Sequence, residues 1–195
     1  MAKLIFKYGA MNSGKSDSLI KTAFNYEERG LKVVVIKSSL DTKGGKKIVA
    51  RGGHKRDIDI LAKSDTNLQS TVLDYQKDYG SLNCILVDEA QFLTPTQVNQ
   101  LFRLTKINNI STIAHGLRTD FRNELFPGSQ QLLALADKIE KLPTMCHCGA
   151  QAEFNARKIN GDYVFVGEQI AIDNETKISY ESLCGKCYLE VGGII

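Results

Sequence analysis

The chain has 195 residues, 43% of them hydrophobic, and carries 25 basic against 22 acidic side chains for a net charge of +3. That length suits one domain of ordinary size, or one plus a small appendage, with enough apolar residues to bury a core. The near-balance of charge excludes a strong polyanion preference, no apolar run approaches the roughly 18 residues of a membrane span, and the start lacks a signal-peptide core; a cytoplasmic protein is expected, with neither nucleic acid nor membrane as a partner.

Leu4-Ile5-Phe6 reads as a strand and runs into Gly9-Ala10-Met11-Asn12-Ser13-Gly14-Lys15-Ser16. This fits Gly, four residues, Gly-Lys-Ser/Thr, the pattern of a phosphate-cradling loop. The two glycines let the backbone bend so that successive amides point inward, and the helix predicted from about Lys15 adds the positive end of its dipole. Lys15 can reach the β/γ-phosphates of a nucleotide and Ser16 can ligate Mg²⁺. Leu19, Ile20, Ala23 and Phe24 recur at the spacing of one helix face, and Arg29-Gly30 closes the helix.

Lys32-Val33-Val34-Val35-Ile36 reads as a strand apolar on both faces, as central parallel strands are. From Asp41 to Arg56 the chain turns basic and glycine-rich and reads as a mobile loop, a natural lid over a triphosphate. A short strand is expected within Asp57 to Leu61, then a helix through Leu68, Val72, Leu73 and Tyr75. Cys84-Ile85-Leu86-Val87 is the clearest strand, with Cys84 a core thiol, and it ends in Asp88-Glu89-Ala90-Gln91-Phe92. Two carboxylates thus stand at the carboxyl end of a buried strand, where open α/β sheets bind ligands. Asp88 can hold Mg²⁺, and Glu89, one residue further on, can take a proton from an attacking hydroxyl or water.

Thr94-Pro95 caps a helix carrying Val98, Leu101, Phe102 and Leu104. A weaker strand over Ile110 to Ala114 precedes the loop Gly116-Leu117-Arg118-Thr119-Asp120-Phe121-Arg122. A helix through Leu132, Leu133, Leu135 and Ala136 and a strand near Ile139 complete this part. The fold class is α/β, a P-loop (RecA-like) parallel sheet flanked by helices over residues 1–142, followed by a small zinc-ribbon-like domain over 143–195. In the latter, Tyr163 to Val166 and Gln169 to Ile172 read as a hairpin. Cys146-His147-Cys148 and Cys184-Gly185-Lys186-Cys187 can deliver four thiolates from two turns to a closed structural Zn²⁺ site, in which His147 points away.

The phosphate loop, the Asp88-Glu89-Ala90-Gln91-Phe92-Leu93 block, the Gly116-to-Arg122 block and the paired cysteines, in that order over nearly the whole chain, resemble the zinc-carrying thymidine kinases of bacteria, phages and the vertebrate cytosol. The resemblance implies ATP-dependent phosphorylation of the 5′-hydroxyl of thymidine, and of deoxyuridine, with Glu89 as general base. It implies that Gly9 to Ser16 together with Asp88, Glu89, Ala90 and Gln91 bind ATP, with Ser16 and Asp88 on its Mg²⁺. Met11, Phe92, Phe121 and Tyr180 would surround the nucleoside, Asp41 would lie near its sugar, and backbone around Ile170 and Ile172 would read the thymine from a loop tied down by zinc. A homotetramer, inhibited by thymidine triphosphate, is implied as well. Three stretches depart from the family pattern: Asp41-Thr42-Lys43 where Asp-x-Arg is usual, Ala50-Arg51-Gly52-Gly53 for Ser-Arg-x-Gly, and Ile172-Asp173-Asn174 for Ile-Gly-Gly. Two other readings stay open: a nucleic-acid-stimulated ATPase, since Asp-Glu-Ala-Gln is also a helicase-like string, and a zinc-ribbon module in which the nucleotide switches a partner.

Overall fold

The computed structural model describes residues 1–42, 44–169 and 177–195. Five of the six strands of the main sheet alternate with helices: β1 (Leu4–Tyr8), α1 (Lys15–Glu27), β2 (Val33–Ser38), then a hairpin of β3 (Lys47–Val49) and β4 (Lys55–Asp57), β5 (Ile60–Ala62), α2 (Leu68–Tyr79), β6 (Cys84–Asp88), α3 (Pro95–Lys106), β7 (Ser111–Gly116) and α4 (Pro127–Leu135). The sixth, β8 (Lys138–Lys141), follows α4. The sheet order is β5-β2-β6-β7-β1-β8, with every neighbouring pair parallel. The strand that feeds the phosphate loop is therefore separated from the strand that ends in the acid pair by β7 alone.

Strands buried on both faces need apolar side chains at odd and even positions alike, and β2 supplies them. Val34 and Ile36 pack with α2, α3 and α4 residues such as Leu68, Val72, Leu101 and Leu132 on one face, while Val33 and Val35 pack with Leu19 and Ala23 of α1 on the other. Cys84 lies in the second layer, and burial pushes its thiol up to about 12, as suits an inert core residue. The start of α3 is fixed by a capping box: Gln97 N–H donates to Thr94 Oγ1 and the Gln97 side chain accepts from Thr94 N–H.

Three expectations change here. Phe24 is exposed, because α1 buries only the narrow stripe of Leu19 and Ala23 against the sheet. The basic stretch 41–56 is not an irregular loop but contains the β3–β4 hairpin; Ile48 is buried in the α1-side core, and Arg56 is held by both carboxylate oxygens of Glu27 at 2.9 and 2.6 Å. Alternation was hidden there by the density of lysines and glycines. The strand expected within 57–61 divides, its first residue ending β4 and Ile60–Ala62 joining the main sheet.

Residues beyond 142 form a separate three-stranded antiparallel sheet, β9 (Phe154–Ile159), β10 (Asp162–Val164) and β11 (Ile178–Leu183), in the order β10-β9-β11, closed by α5 (Gly185–Glu190). Its own small core holds Ala156, Phe165, Leu183 and Tyr188, with Phe154 stacked on Tyr188. Tyr163 and Val164 pair with β9 around the Asn160-Gly161 turn, and most of the second strand expected at 169–172 lies outside the described residues. The strand Phe154–Ile159 went unpredicted because polar Asn155, Arg157 and Lys158 break its apolar run. Among the described residues no helix is long and apolar enough to cross a membrane.

Candidate active site

The loop between β1 and α1 has the backbone that anion binding requires. Asn12 (φ 68°) and Gly14 (φ 73°) both lie in the left-handed region, which turns successive amides toward one side. Lys15 is buried, and its Nζ donates to the carbonyls of Ala10 (2.8 Å) and Gly9 (3.2 Å) and to Ser13 Oγ (3.3 Å). Burial holds its pKa below the usual lysine value, against the opposing pull of the Glu89 and Asp88 carboxylates. A buried ammonium of this kind is a receptor for a polyanion.

The acid pair faces this loop. Ser16 Oγ donates to Asp88 Oδ2 at 3.4 Å, which brings together the hydroxyl and carboxylate expected on Mg²⁺. Asp88 closes β6 at 4% exposure, and its pKa is pushed up to about 7, first by burial and then by Glu89 and Asp41, with Lys37 acting the other way. The folded value lies above the unfolded one near 4, so the ionised carboxylate opposes folding, increasingly as pH rises from about 4 to 7. Asp88→Asn is therefore expected to raise the melting temperature of the nucleotide-free, Mg²⁺-free protein at pH 8 and to leave it little changed at pH 4, while activity is lost. Equal melting temperatures at pH 8 would contradict this.

Glu89 is strained into the left-handed region (φ 48°, ψ 43°), which swings its side chain off the strand direction and into the cleft. Gln91 steadies it: Nε2 donates to Glu89 Oε2 at 2.5 Å while Oε1 accepts from Leu117 N–H at 3.0 Å. The single turn Ala90–Phe92 behind them rests on Gly128 of α4, where an added Cβ would meet the carbonyl oxygens of Ala90 and Leu93 at 2.6 Å and of Gln91 at 2.8 Å. Gly128→Ala should destabilise the fold by about 1–3 kcal/mol through overpacking and displace this turn, lowering kcat more than it lowers the melting temperature would explain. Chemical unfolding and steady-state kinetics on the one variant test both parts.

The phosphate loop and Glu89 open onto a cleft of about 590 Å³, whose lining does not include buried Asp88. Its polar lining includes Lys15, Ser16 and Glu89, with Arg51 of the β3–β4 hairpin and Asp41 adding one charge of each sign. Asp41 is 2.9 Å from the Nζ of Lys37, a fully buried lysine whose strand position pairs with Asp88. Its apolar lining comes from Met11, Phe92 and Leu117, and from Ile178 and Tyr180 of β11. Phe92 is set edge-to-face on buried Phe126, 5.7 Å between centroids. Such a lining offers charged groups to a triphosphate and apolar surface to a flat heterocycle.

At the far side of the small sheet, Cys146 and Cys148 come from one turn and Cys184 and Cys187 from the start of α5, with all four Sγ atoms within 4.8 Å of one another. Tetrahedral thiolates at ~2.3 Å from Zn²⁺ stand roughly 3.8 Å apart, so four sulfurs gathered this closely suit that ion and, as a full tetrahedral set, leave no position for a reactant. His147 points away, its Nδ1 3.0 Å from Glu181 Oε1.

The sequence profile described as Thymidine kinase matches residues 2–188. The chain belongs to the thymidine kinase family. It is 42% identical over 192 residues to a thymidine kinase of Shewanella oneidensis, covering 97% of this chain and 98% of the relative. A thymidine kinase of Enterobacteria phage T4 is 44% identical over 195 residues, covering 98% and 97%, and one of Legionella pneumophila 44% over 186, covering 94% and 88%.

Of the contacts that likeness to thymidine kinases implied, Met11, Asp41, Phe92 and Tyr180 line the cleft together with most of the phosphate loop, Glu89 and Gln91. Ala90 is fully buried behind them. Phe121 does not reach the cleft: it is buried, with the Arg157 guanidinium 3.7 Å from its ring centre, and its carbonyl accepts from Tyr188 Oη at 2.8 Å. Ile170 and Ile172 lie outside the described residues. Sequence reasoning about thymidine kinases missed Leu117, Ile178 and Arg157. Nothing marks a lone Leu or Ile as a cleft residue, and buried Arg157 is recognisable only once its two donors are seen on the carbonyls of Val166 and Glu168, just before the stretch expected to read the base.

Proposed function

We propose that the chain is a thymidine kinase that transfers the γ-phosphoryl group of ATP to the 5′-hydroxyl of thymidine, and of deoxyuridine, yielding the monophosphate for DNA precursor synthesis. The observation that carries the reading is that Glu89 lines one cleft together with Lys15 and Ser16 of the phosphate loop and with the aromatic rings of Phe92 and Tyr180. An acceptor whose ring lies among the apolar side chains presents its sugar alcohol to that carboxylate.

Phosphoryl transfer needs positioning and charge neutralisation rather than a covalent intermediate. The amides of Gly9 to Ser16 and the Lys15 ammonium would hold the phosphates, Ser16 and Asp88 would hold the Mg²⁺ that accompanies ATP, and Arg51 adds positive charge to the cleft lining. Glu89 takes the proton of the 5′-hydroxyl as its oxygen attacks the γ-phosphorus in line and the bond to the β-phosphate oxygen breaks. Residues 1–142 act as the nucleotide-binding domain and 143–195 as the domain that supplies the nucleoside wall. Zn²⁺ on Cys146, Cys148, Cys184 and Cys187 is structural, cross-linking the two turns that anchor β9 and β11. A homotetrameric, cytoplasmic enzyme is proposed from family likeness.

Purified protein with Mg-ATP and a panel of nucleosides tests the proposal. Thymidine and deoxyuridine monophosphates are expected, with no product from purine nucleosides. ATP hydrolysis stimulated by DNA or RNA, with no transfer to any nucleoside, would instead favour the helicase-like ATPase.

A further inference from the structure

Two side chains of the small sheet hydrogen-bond the phosphate loop, both at Met11. Met11 N–H donates to Asn155 Oδ1 at 2.8 Å, and Met11 C=O accepts from Ser182 Oγ at 2.5 Å. Asn155 and Ser182 are directly opposite each other in the β9–β11 register, and both are buried, at 3% and 6% exposure. The Asn155 amide is oriented at both ends, since its Nδ2 also donates to Thr119 C=O at 3.3 Å. A cross-strand pair thus grips the donor and the acceptor of a single residue more than 140 positions earlier in the chain.

That grip has a consequence for the anion cradle. In a trans peptide the C=O and the following N–H point in opposite directions. Drawing the Met11 carbonyl toward Ser182 therefore turns the Asn12 N–H away from the small sheet and helps hold Asn12 at φ 68°, a left-handed conformation that disfavours non-glycine residues by roughly 1–2 kcal/mol. The same face of β11 presents Ile178 and Tyr180 to the cleft, four and two positions before Ser182. One sheet face both lines the cleft and grips the phosphate loop.

We propose that Asn155 and Ser182 are positioning residues for phosphoryl transfer, holding the phosphate loop in its anion-binding form from the small sheet. The small domain thereby acts on ATP as well as on the nucleoside. The proposal rests on the kinase reading for its turnover assay, but not for its binding assay.

The test uses the full chain with its metal. In Ser182→Ala, kcat at saturating substrates should fall roughly 10-fold or more and ATP should bind more weakly, since a misplaced catalytic loop is expensive in rate. Ser182→Thr, which keeps the hydroxyl, should restore most of both. Tyr188→Phe is the control: it removes another buried bond from the same region, Tyr188 Oη to Phe121 C=O at 2.8 Å, without touching the loop. It should lower the melting temperature yet leave kcat within about twofold. A kcat for Ser182→Ala within about twofold of the native value, or an equal loss in Tyr188→Phe, would overturn the proposal. Should Ser182→Ala not fold, Asn155→Leu takes its place, and failure of both to fold would make the pair structural and overturn it as well. ATP affinity is titrated without nucleoside, so a chain inactive on thymidine would refute the substrate reading while the clamp is still measured.

Discussion

Glu89→Gln is expected to abolish turnover while leaving both substrates bound. The substitution keeps the shape of the side chain and its place in the left-handed turn, but removes the basic oxygen that accepts the proton. General-base catalysis is worth ~10²–10⁴-fold, and kcat should fall by that order. Lys15, Ser16 and Asp88 are unchanged and the apolar end of the cleft is intact, so ATP and thymidine affinities measured by calorimetry should stay within a few-fold of native. The adjacent Gln91, whose Nε2 now meets Glu89 Oε2, would face an amide that can still accept through oxygen, and the turn therefore keeps its hydrogen bond. A variant retaining near-native kcat would remove Glu89 from the mechanism and leave the proton to solvent.

Removal of the metal should have an effect of similar size by a different route. The core of the small sheet, with Ala152, Ala156, Phe165, Leu183 and Tyr188 as its buried residues besides cysteines, is too small to hold three short strands unaided. A structural Zn²⁺ contributes on the order of 10–16 kcal/mol of binding free energy in small zinc domains, most of it spent on ordering the chain. Chelation, or Cys184→Ala, is expected to unfold residues 143–195 while the six-stranded sheet, with its two separate apolar layers, stays folded. Scanning calorimetry should then show a transition of lower enthalpy, and thymidine phosphorylation should be lost with Tyr180 and Ile178 no longer forming the cleft wall. Undiminished thymidine binding by protein shown to be metal-free would refute this role.

The sequence showed most clearly the parts whose chemistry is local. The Gly9-to-Ser16 loop can be read because its glycine spacing and its lysine serve one purpose between neighbouring residues, and α1 does begin at Lys15. The acid pair is legible because a run of buried apolar residues ending in two carboxylates has no ordinary structural reason. The four cysteines, though far apart in the chain, announce themselves by type, and they do meet. Less legible were the elements whose polar residues face protein rather than water. The β3–β4 hairpin looked like a solvated loop because Lys37, itself fully buried, donates to the carbonyls of Gly45 and Lys47 and so anchors a lysine-rich stretch. Strand β9 was missed for the same reason, since Asn155 and Arg157 spend their polar groups on the phosphate loop and on the carbonyls of residues 166 and 168.

By itself the sequence determined the chemical classes: a phosphate cradle, a carboxylate pair at a strand end, and a four-thiolate knot, each set by residue type and short-range spacing. Only the tertiary structure decided which of them share a space. The sheet order puts β7 between the strand that feeds the phosphate loop and the strand that ends in the acid pair, Phe121 is turned into an arginine-covered core instead of the cleft, and two strands from the end of the chain close on the carbonyl and amide of Met11. Periodicity reports which side of an element is apolar, but the partner that covers it is chosen by packing among segments more than a hundred residues apart, and no local pattern encodes that choice.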